Sequence, residues 1–510
     1  MKRALTTHEM RELDRAATEE HGMPAALLME NAGSALARKA LELASPTGRI
    51  LVLCGQGNNG GDGLVAARAL HGAGRLVSVE LTVLGEALEG EPARNFKALK
   101  ACGLTPAAIP PELPIGAGDV IIDALLGTGL SRAPEDKYAD AIGRISEWRA
   151  AGAKVIAADL PSGLSSDTGQ PFVPCVTADV TLAFSHLKVG QAVEPGAWRC
   201  GELEVIDIGI PRAATKVLKG PAVYLLEESD VRGRLAPRKP DAHKGTFGHV
   251  LVVAGSWGKT GAAALAGLGA LRAGAGLVTV ATRPEALVPV MAHAPELMGL
   301  ELVSDGGLGL ADLNPLLEAA EGKQAVVLGP GIQRGDETPK LLAALLEELT
   351  IPCVLDADGL NALASNLEAL KRAKGPLLLT PHPGEMARLM NKPVAEVQGD
   401  RIAAVRSLAS AHQVAVVLKG ARTLVAREDG TVFVNPTGNP GMATGGTGDV
   451  LSGICGALLA QGLSPEDAAV TGVYAHGLAA DLVVKRTGLM GLVASDLLEG
   501  LGQVWVRWRT

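Results

Sequence analysis

Short apolar runs recur along the chain, and polar or glycine-rich segments separate them. Runs of this kind are typical of strands that are buried on both faces of a parallel sheet. In the first part of the chain the predicted strands are 49–54, 76–84, 120–124, 154–158, 180–184 and 203–206. In the second part they are 249–254, 277–281, 325–328, 353–355, 376–380 and 414–418. Segments of helix length, rich in Ala, Arg and Leu, lie between most of these runs. The pattern therefore predicts an α/β protein with parallel sheets covered by helices.

The alternation is interrupted between residues 211 and 243, where charges, prolines and short apolar pieces follow one another. We interpret this segment as a linker and domain entry, because 510 residues are too many for a single hydrophobic core. The predicted domains are residues 1–215 and 221–510.

Two local patterns add detail to this division. Thr6 and Glu9 have the spacing of a capping box, which predicts that helical sequence begins there and continues to about Leu43. Residues 422–426 and 431–434, on either side of an Asp-Gly turn, predict a hairpin at the edge of the second sheet.

Composition and charge narrow the class of protein. Hydrophobic residues make up 47% of the chain and charged residues 20%, as in a folded globular protein. The net charge of −8 argues against general affinity for nucleic acid. The six cysteines form no CxxC pair, so we expect reduced thiols in a cytoplasmic protein. No apolar run follows the basic N-terminus, and Arg272 interrupts the apolar residues 261–282, so neither a signal peptide nor a membrane span is predicted.

The stretch NPTGNPGMATGGTGDVLSG, residues 435–453, carries a chemical signal. It precedes a long apolar segment, so a helix is expected to begin near Asp449. Its glycines allow the main chain to approach a ligand, and the free N–H groups at a helix start bind anions such as phosphate. A carboxylate beside such an anion is better explained as a base for an attacking hydroxyl group. The alternative is a glycine-rich turn in which Asp449 only caps the helix.

In the first domain, the loop GQGNNGGDG, residues 55–63, follows the first predicted strand. It contains a GxGxxG pattern, and Glu80 lies at the distance expected for a ribose contact in a dinucleotide-binding fingerprint. A dehydrogenase is therefore one hypothesis. Asn58, Asn59 and Asp62 argue against it, because they place polar side chains and a carboxylate where a pyrophosphate would bind.

Two further strand ends of this domain carry polar side chains. Asp123 begins DALLGTGLSRA, and Asp159 begins DLPSG. Since the carboxyl ends of parallel strands share one edge of a sheet, Asn59, Asp123 and Ser162 are expected to converge there. An amide oxygen, a carboxylate and a hydroxyl group are hard ligands that suit a cation such as potassium. Asp159 then remains as a proton acceptor; the alternative is that both aspartates merely cap their loops.

Polar motifs also lie at predicted strand ends in the second domain. They are AGSWGKTGAA (254–263), GPG (329–331), DADGLN (356–361), TPHPGE (380–385) and LKGART (418–423). The first of them lacks the spacing of a Walker A loop. His382 lies between two prolines that restrict the chain, which suits a ligand contact, although a structural histidine is the alternative. Lys419, Arg422 and main-chain amides offer contacts to a nucleotide phosphate.

These motifs, taken in order over nearly the whole chain, resemble those of the bifunctional NAD(P)H-hydrate repair enzymes. In that family an NAD(P)HX epimerase is fused to an ADP- or ATP-dependent NAD(P)HX dehydratase. The resemblance implies a Rossmann-like three-layer α/β/α sandwich followed by a ribokinase-like α/β domain. Gly359 and Ser452 stand where Ala and Thr are frequent in the family, and neither bears on the expected chemistry.

The resemblance also implies a reaction. The substrate is a nicotinamide cofactor that has gained water at C6 of its ring. The epimerase interconverts the R and S hydrates, and the dehydratase returns the S hydrate to NAD(P)H while ADP is converted to AMP and phosphate. Asp449 is expected to deprotonate the C6 hydroxyl group, which attacks the terminal phosphoryl group, with Mg²⁺ bridging the nucleotide phosphates. The expected partners are hydrated NADH or NADPH and ADP, without nucleic acid or membrane, and the chain is expected to form a homo-oligomer.

Besides the catalytic aspartates Asp159 and Asp449, the resemblance implies four sets of ligands. The epimerase residues expected to bind the hydrate are Asn58, Asn59, Gly60, Gly61, Asp62, Gly127, Thr128, Gly129, Leu130, Ser131, Arg132, Ala133 and Asp159. The residues expected to bind K⁺ are Asn59, Asp123 and Ser162. The dehydratase residues expected to bind the hydrate are Ala254, Gly331, His382 and Asp449. The residues expected to bind the nucleotide are Lys419, Gly420, Ala421, Arg422, Thr423 and Gly448.

Two other functions remain open at this point. The second domain has loops of the GTGD type that a ribokinase-like small-molecule kinase also has, and a stable phosphorylated product would identify such an enzyme. The first domain would then be a non-catalytic Rossmann-like binding module, although Asp159 together with the cation ligands argues against it. The sequence does not decide between NADHX and NADPHX, or between ADP and ATP.

Overall fold

The computed structural model describes residues 1–110 and 113–508. They form two compact units, Lys2–Ala222 and the part of the chain from Val223 onwards. Each unit is built on a largely parallel sheet with helices between its strands. The predicted α/β fold class is therefore confirmed.

The first unit contains eight strands and seven α-helices among its described residues. The strands are β1 (Lys2–Leu5), β2 (Ile50–Cys54), β3 (Val77–Leu81), β4 (Val120–Ala124), β5 (Lys154–Ala158), β6 (Val180–Phe184), β7 (Leu187–Lys188) and β8 (Glu202–Ile206). The helices are α1 (Thr7–Arg15), α2 (Ala25–Leu43), α3 (Asn58–Gly72), α4 (Gly90–Ala101), α5 (Asp136–Ala150), α6 (Val189–Ala192) and α7 (Gly196–Cys200). Six of the strands form a parallel sheet in the order β3-β2-β4-β5-β6-β8.

Both faces of this sheet are covered, which explains why β2 is apolar at every position. Ile50 and Val52 pack in one core with residues of α2 and α3, whereas Leu51 and Leu53 pack in a second core with residues of α5. Because successive side chains of a strand point to opposite faces, a strand between two helical layers cannot alternate with polar residues. The three-layer arrangement matches the expectation.

The predicted N-terminal capping box is present, but the helical sequence is not continuous. Thr6 Oγ1 accepts a hydrogen bond from Glu9 N at 3.2 Å, and the Glu9 carboxylate accepts one from Thr6 N at 3.0 Å. A π-helical turn, Ala16–Glu20, follows α1, and α2 begins only at Ala25. Gly22 lies between them in the left-handed region (φ 66°), where a regular helix cannot continue.

The second unit contains ten strands and thirteen α-helices among its described residues. The strands are β9 (Val223–Leu225), β10 (His249–Val253), β11 (Leu277–Thr282), β12 (Met298–Glu301), β13 (Ala325–Leu328), β14 (Cys353–Leu355), β15 (Leu377–Leu379), β16 (Ala415–Leu418), β17 (Leu424–Ala426) and β18 (Val432–Val434). The first helices are α8 (Glu228–Arg232), α9 (Thr260–Arg272), α10 (Pro284–Met291), α11 (Leu313–Ala320), α12 (Thr338–Glu348), α13 (Ala357–Leu363) and α14 (Glu368–Lys371). The remaining helices are α15 (Pro383–Met390), α16 (Val394–Gly399), α17 (Arg401–His412), α18 (Thr447–Ala460), α19 (Pro465–Gly491) and α20 (Asp496–Trp508).

The ten strands have the order β12-β11-β10-β13-β14-β15-β16-β17-β18-β9. The predicted hairpin is present as the antiparallel pair β17 and β18, but its position at the sheet edge was wrong. β18 also pairs in parallel with β9, which lies inside the segment interpreted as a linker. β9 has only three residues, so its apolar pattern is too short to be distinguished from a linker by periodicity.

The core of the second unit lies between its sheet and the longest helices. Val250 and Val252 of β10 pack with buried residues of α9, α18 and α19. The apolar segment 261–282 contains most of α9, a short turn and β11, and the strand predicted at 277–281 is confirmed within it. Among the described residues, no helix is long and apolar enough to span a bilayer.

Candidate active sites

In the first unit, the three predicted cation ligands lie at the carboxyl edge of the sheet. Asp123 is in β4, Ser162 follows β5, and Asn59 is in the first turn of α3. Ser162 Oγ donates a hydrogen bond to Asp123 Oδ1 at 2.6 Å, and Ser162 N donates one to Asp123 Oδ2 at 2.8 Å. Asn59 Nδ2 donates to the carbonyl oxygen of Leu126 at 3.1 Å, and Ser162 Oγ accepts from Leu126 N at 2.9 Å. The loop after β4 therefore connects all three side chains.

The other end of the Asn59 amide faces no donor. Asn59 Oδ1 is buried and has no hydrogen-bond partner in the described part of the chain. A buried oxygen of this kind is costly unless something else binds it. Because Nδ2 is fixed by the carbonyl group of Leu126, Oδ1 is held in place and available to a ligand.

The Asp123 carboxylate has no positively charged partner among the described residues. Its side chain is fully buried, and it forms no ion pair with residues 1–110 or 113–508. Burial raises its pKa to about 6, although the hydrogen bonds from Ser162 act in the opposite direction. A cation would favour the ionised carboxylate at this position. The oxygen set therefore fits a hard cation.

Asp159 lies in a second group of charged residues at the same edge. It follows β5, and its backbone is in the left-handed region, φ 63°, which is uncommon for a residue other than glycine. Its Oδ1 atom accepts hydrogen bonds from Phe184 N at 2.9 Å and from the ammonium group of Lys188. The side chain of Gln191 donates to the Asp159 carbonyl oxygen at 2.6 Å. Main chain and carboxylate of Asp159 are thus both held.

Two more carboxyl groups interact with Asp159. Asp62, in α3, is buried, and burial together with the negative charge of Asp159 raises its pKa well above the ordinary value. For Asp14, in α1, the same two causes raise the pKa to about 6, although the side chain keeps solvent-exposed surface. Such a combination of surrounding protein and access to solvent is typical of an open cleft. Groups with differently shifted pKa values in one cleft are common in sites of acid–base chemistry.

The predicted substrate loop of residues 127–133 leads from the cation site to a cavity. The cavity has a volume of about 670 Å³, and Asp159 is not part of its lining. Its walls combine the loop after β3, the loop after β4 and the start of α5. The lining residues are Thr82, Val83, Leu84, Ala87, Leu126, Leu130, Arg132, Ala133, Pro134, Glu135, Asp136, Lys137 and Tyr138.

The dehydrogenase hypothesis is not supported by Glu80. Its carboxylate pairs with the Arg144 guanidinium group, with a contact of 3.0 Å between Arg144 Nη1 and Oε2. It also accepts a hydrogen bond from Ile109 N at 2.7 Å. The carboxylate is occupied by protein groups and does not offer a ribose contact. Gly60 serves the packing of the chain, since a β-carbon there would lie 1.9 Å from the Gly55 oxygen.

In the second unit, α18 begins at Thr447, close to the predicted position. Gly446 precedes it with φ 93°, and its carbonyl oxygen accepts the first helical hydrogen bond, from Val450 N at 3.1 Å. The N–H groups of the first turn have no partner within the helix and point towards its start. Asp449 belongs to this first turn, so its carboxylate lies beside an anion-binding helix terminus.

The Asp449 carboxylate is half-buried and forms no hydrogen bond with the described residues. Burial, followed by the negative charge of Asp356, raises its pKa to about 7. The alternative interpretation requires the Asp449 side chain to cap the helix, and it does not. An uncommitted carboxyl group with this pKa is suited to general-base catalysis near neutral pH.

Lys419 and Asp356 form a buried network beside Asp449. Lys419 Nζ lies 2.7 Å from Asp356 Oδ1, and Ser452 Oγ donates to Asp356 Oδ2 at 2.6 Å. Glu385 Oε2 is 3.9 Å from Lys419 Nζ, and burial raises the Glu385 pKa. A β-carbon at Gly448 would lie 3.3 Å from Lys419 Nζ, which places the ammonium group against the first turn of α18.

The predicted nucleotide loop of residues 418–423 is held by an arginine that sequence reasoning missed. Arg401 is buried, and its Nη1 atom donates to the Ala421 carbonyl oxygen at 2.6 Å. Its Nη2 atom reaches the carbonyl oxygens of Leu418 and Lys419 at 3.4 and 3.5 Å. Gly420 has φ 137°, which requires glycine. The Arg401 side chain therefore holds the main chain of the loop in place.

Of the predicted hydrate contacts, Ala254 and Gly331 meet through the loop after β10. Ala254 is buried, and Ser256, two residues on, donates its hydroxyl hydrogen bond to the Gly331 carbonyl oxygen at 2.8 Å. Gly331 has φ 64°, and a β-carbon there would lie 2.8 Å from the β-carbon of Ala262. Any larger residue at 331 is therefore excluded by the backbone and by space.

His382 has a structural role beside the predicted contact. Its Nδ1 atom accepts a hydrogen bond from Gly384 N at 3.0 Å and caps α15, while Nε2 lies 3.3 Å from Glu385 Oε1. The side chain remains half-exposed. Burial lowers the pKa of His382, so the ring is neutral at pH 7. Its predicted contact with the hydrate stays a prediction.

The glycine-rich stretch before α18 is anchored to α19. Asn435 Nδ2 donates to the Val473 carbonyl oxygen at 3.0 Å, and Thr437 Oγ1 donates to that of Tyr474 at 3.0 Å. The Asp481 carboxylate accepts from Gly438 N at 2.9 Å. These contacts hold the loop that presents the N-terminus of α18.

Sequence reasoning assigned no role to Asp14, Lys188 or Arg401. Each lies far along the chain from the motif that it serves, so motif spacing contains no signal for it. Lys188 lies between Leu187 and Val189, shortly after a buried strand, but Ser185 and His186 separate it from that strand, so no apolar run marks it. Among the described residues there is no group of three or more His, Cys, Asp or Glu side chains that could hold a metal ion. A cation site built mainly from amide, hydroxyl and carbonyl oxygens is compatible with that finding.

Comparison with known proteins relates this geometry to two family models. A model for NAD(P)H-hydrate dehydratase matches residues 250–502, and a model for the N-terminus of YjeF-related proteins matches residues 25–190. The chain is 42% identical to the bifunctional NAD(P)H-hydrate repair enzyme Nnr of Moorella thermoacetica, over 98% of this chain and 96% of that protein. It is 39% identical to the enzyme of the same name from Escherichia coli, over 97% of this chain and 92% of that protein.

Among the solved structures similar to this chain, one matches a part of the size of the second unit. It is the ADP/ATP-dependent NAD(P)H-hydrate dehydratase of Bacillus subtilis, co-crystallised with ATP and Mg²⁺. The two structures superpose with a TM-score of 0.50 and 34% sequence identity, over 56% of this chain and 99% of that one.

Proposed function

This chain belongs to the family of bifunctional NAD(P)H-hydrate repair enzymes, and we propose that both activities reside in it. Its first unit interconverts the R and S hydrates of NADH or NADPH. Its second unit dehydrates the S hydrate while ADP is converted to AMP and phosphate. The observation that carries the proposal is the Asp449 carboxylate, which lies uncommitted in the first turn of α18.

The dehydratase reaction follows from this placement. The terminal phosphoryl group of the nucleotide lies at the N-terminus of α18, where main-chain N–H groups stabilise its charge. Asp449 takes the proton of the C6 hydroxyl group, and the oxygen attacks the phosphorus in line with the leaving nucleotide oxygen. Phosphate then departs from C6 together with a proton from C5, which restores the dihydropyridine ring.

The surrounding residues bind and orient the nucleotide. Lys419 points its ammonium group at the first turn of α18, close to the proposed phosphoryl position. The main chain of residues 420–423, together with the side chains of Arg422 and Thr423, binds the nucleotide further out. Mg²⁺ neutralises charge on the phosphates when bound.

In the first unit, Asp159 acts as the proton acceptor. As the C6 hydroxyl group loses its proton, the C6–N1 bond breaks with its electron pair on N1, and N1 then attacks the resulting aldehyde carbon from the other face to close the ring with inverted configuration. The Asp159 carboxylate takes the hydroxyl proton and returns it to the oxygen when the C6–N1 bond forms again. Residues 58–62 and the loop 127–133 bind the hydrate, with the remainder of the dinucleotide extending towards the cavity beside Arg132.

Asn59, Asp123 and Ser162 hold a potassium ion in this proposal. The buried Asn59 Oδ1 atom and the unpaired Asp123 carboxylate support it, since both need a cationic partner. The ion would fix the loop after β4 and supply positive charge near the hydrate. We place the enzyme in the cytoplasm, where its six free cysteines stay reduced.

Recovery of NADH absorbance tests the proposal. The full chain is incubated with a mixture of R and S NADH hydrates, ADP and Mg²⁺, in the presence of K⁺. We expect complete recovery of NADH at a rate above that of spontaneous epimerisation, with one AMP and one phosphate for each NADH. A stable phosphorylated product without NADH would instead identify a small-molecule kinase. Recovery that stops at the S fraction would identify the first unit as a non-catalytic binding module.

A further inference from the structure

Lys188 is a fully buried lysine beside the proposed catalytic carboxylate of Asp159. Its side chain has no solvent-exposed surface, and it lies at the end of β7. A lysine is seldom fully buried, because removing an ammonium group from water is costly unless every proton finds a partner. A fully buried lysine therefore requires an explanation in terms of its contacts.

All three ammonium protons of Lys188 have acceptors. The acceptors are Asp159 Oδ1 and the carbonyl oxygens of Phe184 and His186, the last two at 3.1 Å. The two carbonyl groups are neutral, so Asp159 is the anionic partner of Lys188 in the described chain. The buried positive charge is directed at the proposed catalytic carboxylate.

The contacts of Lys188 continue around Asp159. Lys188 N donates to Gln191 Oε1 at 2.8 Å, and the same amide group donates from Nε2 to the Asp159 carbonyl oxygen at 2.6 Å. Phe184 contributes its N–H group to Asp159 and its carbonyl group to Lys188. The segment from Phe184 to Gln191 therefore forms a closed set of contacts with both the main chain and the side chain of Asp159.

The charges around Asp159 explain why an ammonium group is needed. Asp62 of α3 and Asp14 of α1 also interact electrostatically with Asp159. His186 follows β6 in the same segment, and Lys188 helps to keep it neutral by lowering its pKa, after the larger effect of burial. With two carboxyl groups in the vicinity, the negative charge of Asp159 would be disfavoured if no cation were in contact with it.

On the basis of the function proposed above, we propose that Lys188 is a positioning residue of the epimerase, which places a positive charge against the Asp159 carboxylate and holds it in one orientation for proton transfer from the hydrate. It does so without touching the substrate, because it is sealed from solvent behind Asp159. A buried ion pair contributes little net stability compared with apolar residues of the same size. Its presence at this position is therefore better explained by the requirements of Asp159 than by folding.

The test uses the full chain and variants at two positions. They are Lys188→Met, Lys188→Arg, Asp159→Asn and the double variant Lys188→Met with Asp159→Asn. Lys39→Met is the matched control, since Lys39 forms ion pairs with Glu42 and Glu204 of this unit but is only partly buried and lies outside the proposed site. Epimerase rates are measured from about pH 6 to pH 9, together with melting temperature and the dehydratase rate on the S hydrate.

We expect Lys188→Met to lower epimerase kcat by about a hundredfold at neutral pH, within the range attributed to general-base catalysis, and to leave KM nearly unchanged. Since loss of the counter-charge favours the protonated carboxyl group, activity should return as the pH rises. Lys188→Arg retains the charge and should keep the pH profile of the wild type at a reduced rate. The dehydratase rate should not change in any of these variants.

The double variant separates positioning from folding. Lys188→Met leaves Asp159 without its ion-pair partner, so the melting temperature of this variant should fall. Adding Asp159→Asn should restore the melting temperature without restoring epimerase activity. Wild-type rates with an unshifted pH profile in Lys188→Met would overturn the inference, as would an equal loss at every pH. If Lys188→Met does not fold, Lys188→Arg provides the test, and a shifted pH profile in that variant would also overturn the inference. A wild-type chain that does not accelerate epimerisation would instead overturn the proposed function itself.

Discussion

At the scale of single residues, the aspartates of the two proposed sites differ in their hydrogen-bond partners. Asp159 is held by Lys188, Phe184 and Gln191, whereas the Asp449 carboxylate has no hydrogen-bond partner in the described chain. A carboxylate that takes its proton from a single bound substrate can be fixed in advance. A carboxylate that must approach a hydroxyl group beside a phosphate is better left free until both substrates are bound.

The pH dependence of the dehydratase should report on Asp449. Its pKa is raised to about 7, so the basic form decreases as the pH falls below that value. With saturating hydrate and nucleotide, kcat should therefore fall about tenfold per pH unit well below pH 7 and reach a plateau above it. Rates of NADH formation from the S hydrate give this profile. A flat profile between about pH 5 and pH 7 would contradict the role of Asp449 as the base.

Asp449→Asn should remove turnover without removing the nucleotide. The amide keeps the size of the carboxylate but cannot accept the hydroxyl proton, and loss of a general base typically costs about a hundredfold to ten-thousandfold in rate. ADP affinity should be preserved or increased, because a negative charge next to the phosphates is lost. Turnover, calorimetric ADP binding and melting temperature measured on this variant check the prediction. Near-normal turnover would show that Asp449 has only a structural role.

Asp123→Asn should abolish the response of the epimerase to potassium. The substitution keeps the shape of the side chain but removes the one charged ligand of the proposed site. The epimerase rate is measured while KCl is replaced by choline chloride at constant ionic strength. Asp119→Asn is the control, because Asp119 precedes the same strand and likewise accepts main-chain hydrogen bonds, from Arg49 N and Gly116 N. A potassium dependence that persists in Asp123→Asn would sink the assignment of the cation site.

At the scale of secondary-structure elements, most strands could be predicted and the residues that brace the loops could not. The predicted runs at 120–124, 154–158 and 180–184 agree with the observed strands at both ends. Buried strands of a parallel sheet are continuously apolar, so their limits are visible in the sequence. β1, β7, β9 and β12 were missed, because runs of two to four residues contain little periodicity.

The partners of these loops lie far away in the sequence. Arg401 supports residues 418–421 from α17, and Lys188 contacts Asp159 across 29 positions. Side-chain contacts to main-chain carbonyl groups leave no spacing rule in a single sequence. The predicted ligands converge because strand ends share an edge, whereas the residues that hold the ligands in place depend on packing that only the structure reveals.

Arg401→Met should loosen the nucleotide loop. The variant removes the side-chain donor of the Leu418, Lys419 and Ala421 carbonyl groups, at a cost of about 1–3 kcal/mol, and the apparent KM for ADP should rise by about tenfold to a hundredfold. The KM for the hydrate should change much less. Initial rates with each substrate varied in turn distinguish the two effects.

The same helix offers a matched control for this prediction. Arg406, also in α17, donates from Nε to the Gly430 carbonyl oxygen at 2.7 Å and so supports the β17–β18 turn. Arg406→Met should lower stability without changing the KM for ADP. Equal effects of the two substitutions on that KM would show that Arg401 stabilises the fold in general and not the nucleotide loop.

At the scale of the whole molecule, two units each contain the residues of one proposed site. The division was visible in the sequence as a break in the alternation, but the break does not consist of linker alone. Val223–Leu225 pairs with β18 and completes the sheet of the second unit. The segment was misinterpreted because charges and prolines surround a strand of three residues, and composition over thirty residues obscures so short an element.

Separated halves of the chain should therefore each retain one activity. A fragment from Pro221 to Thr510 keeps β9 and should fold and dehydrate the S hydrate only, since Asp159 and the proposed cation ligands are absent from it. Adding a fragment of residues 1–220 should then allow the R hydrate to be consumed. NADH recovery from each epimer, with one fragment or both, measures this division. If the second-unit fragment alone clears both epimers above the spontaneous rate, the assignment of epimerisation to the first unit is wrong.

A shorter fragment tests whether β9 is part of the second unit. A chain that begins at Leu226 lacks β9, so β18 loses its parallel neighbour and the buried Val223 side chain. Unsatisfied main-chain groups along β18 should lower its melting temperature relative to the fragment that begins at Pro221. The nucleotide loop follows β16, and β17 and β18 lie between β16 and β9 in the sheet, so the loss of β9 does not touch the loop directly. ADP binding should therefore survive at low temperature, where the shorter fragment is folded, and be lost on mild heating, where it unfolds. Equal melting temperatures for the two fragments would restore the interpretation of residues 211–243 as a linker.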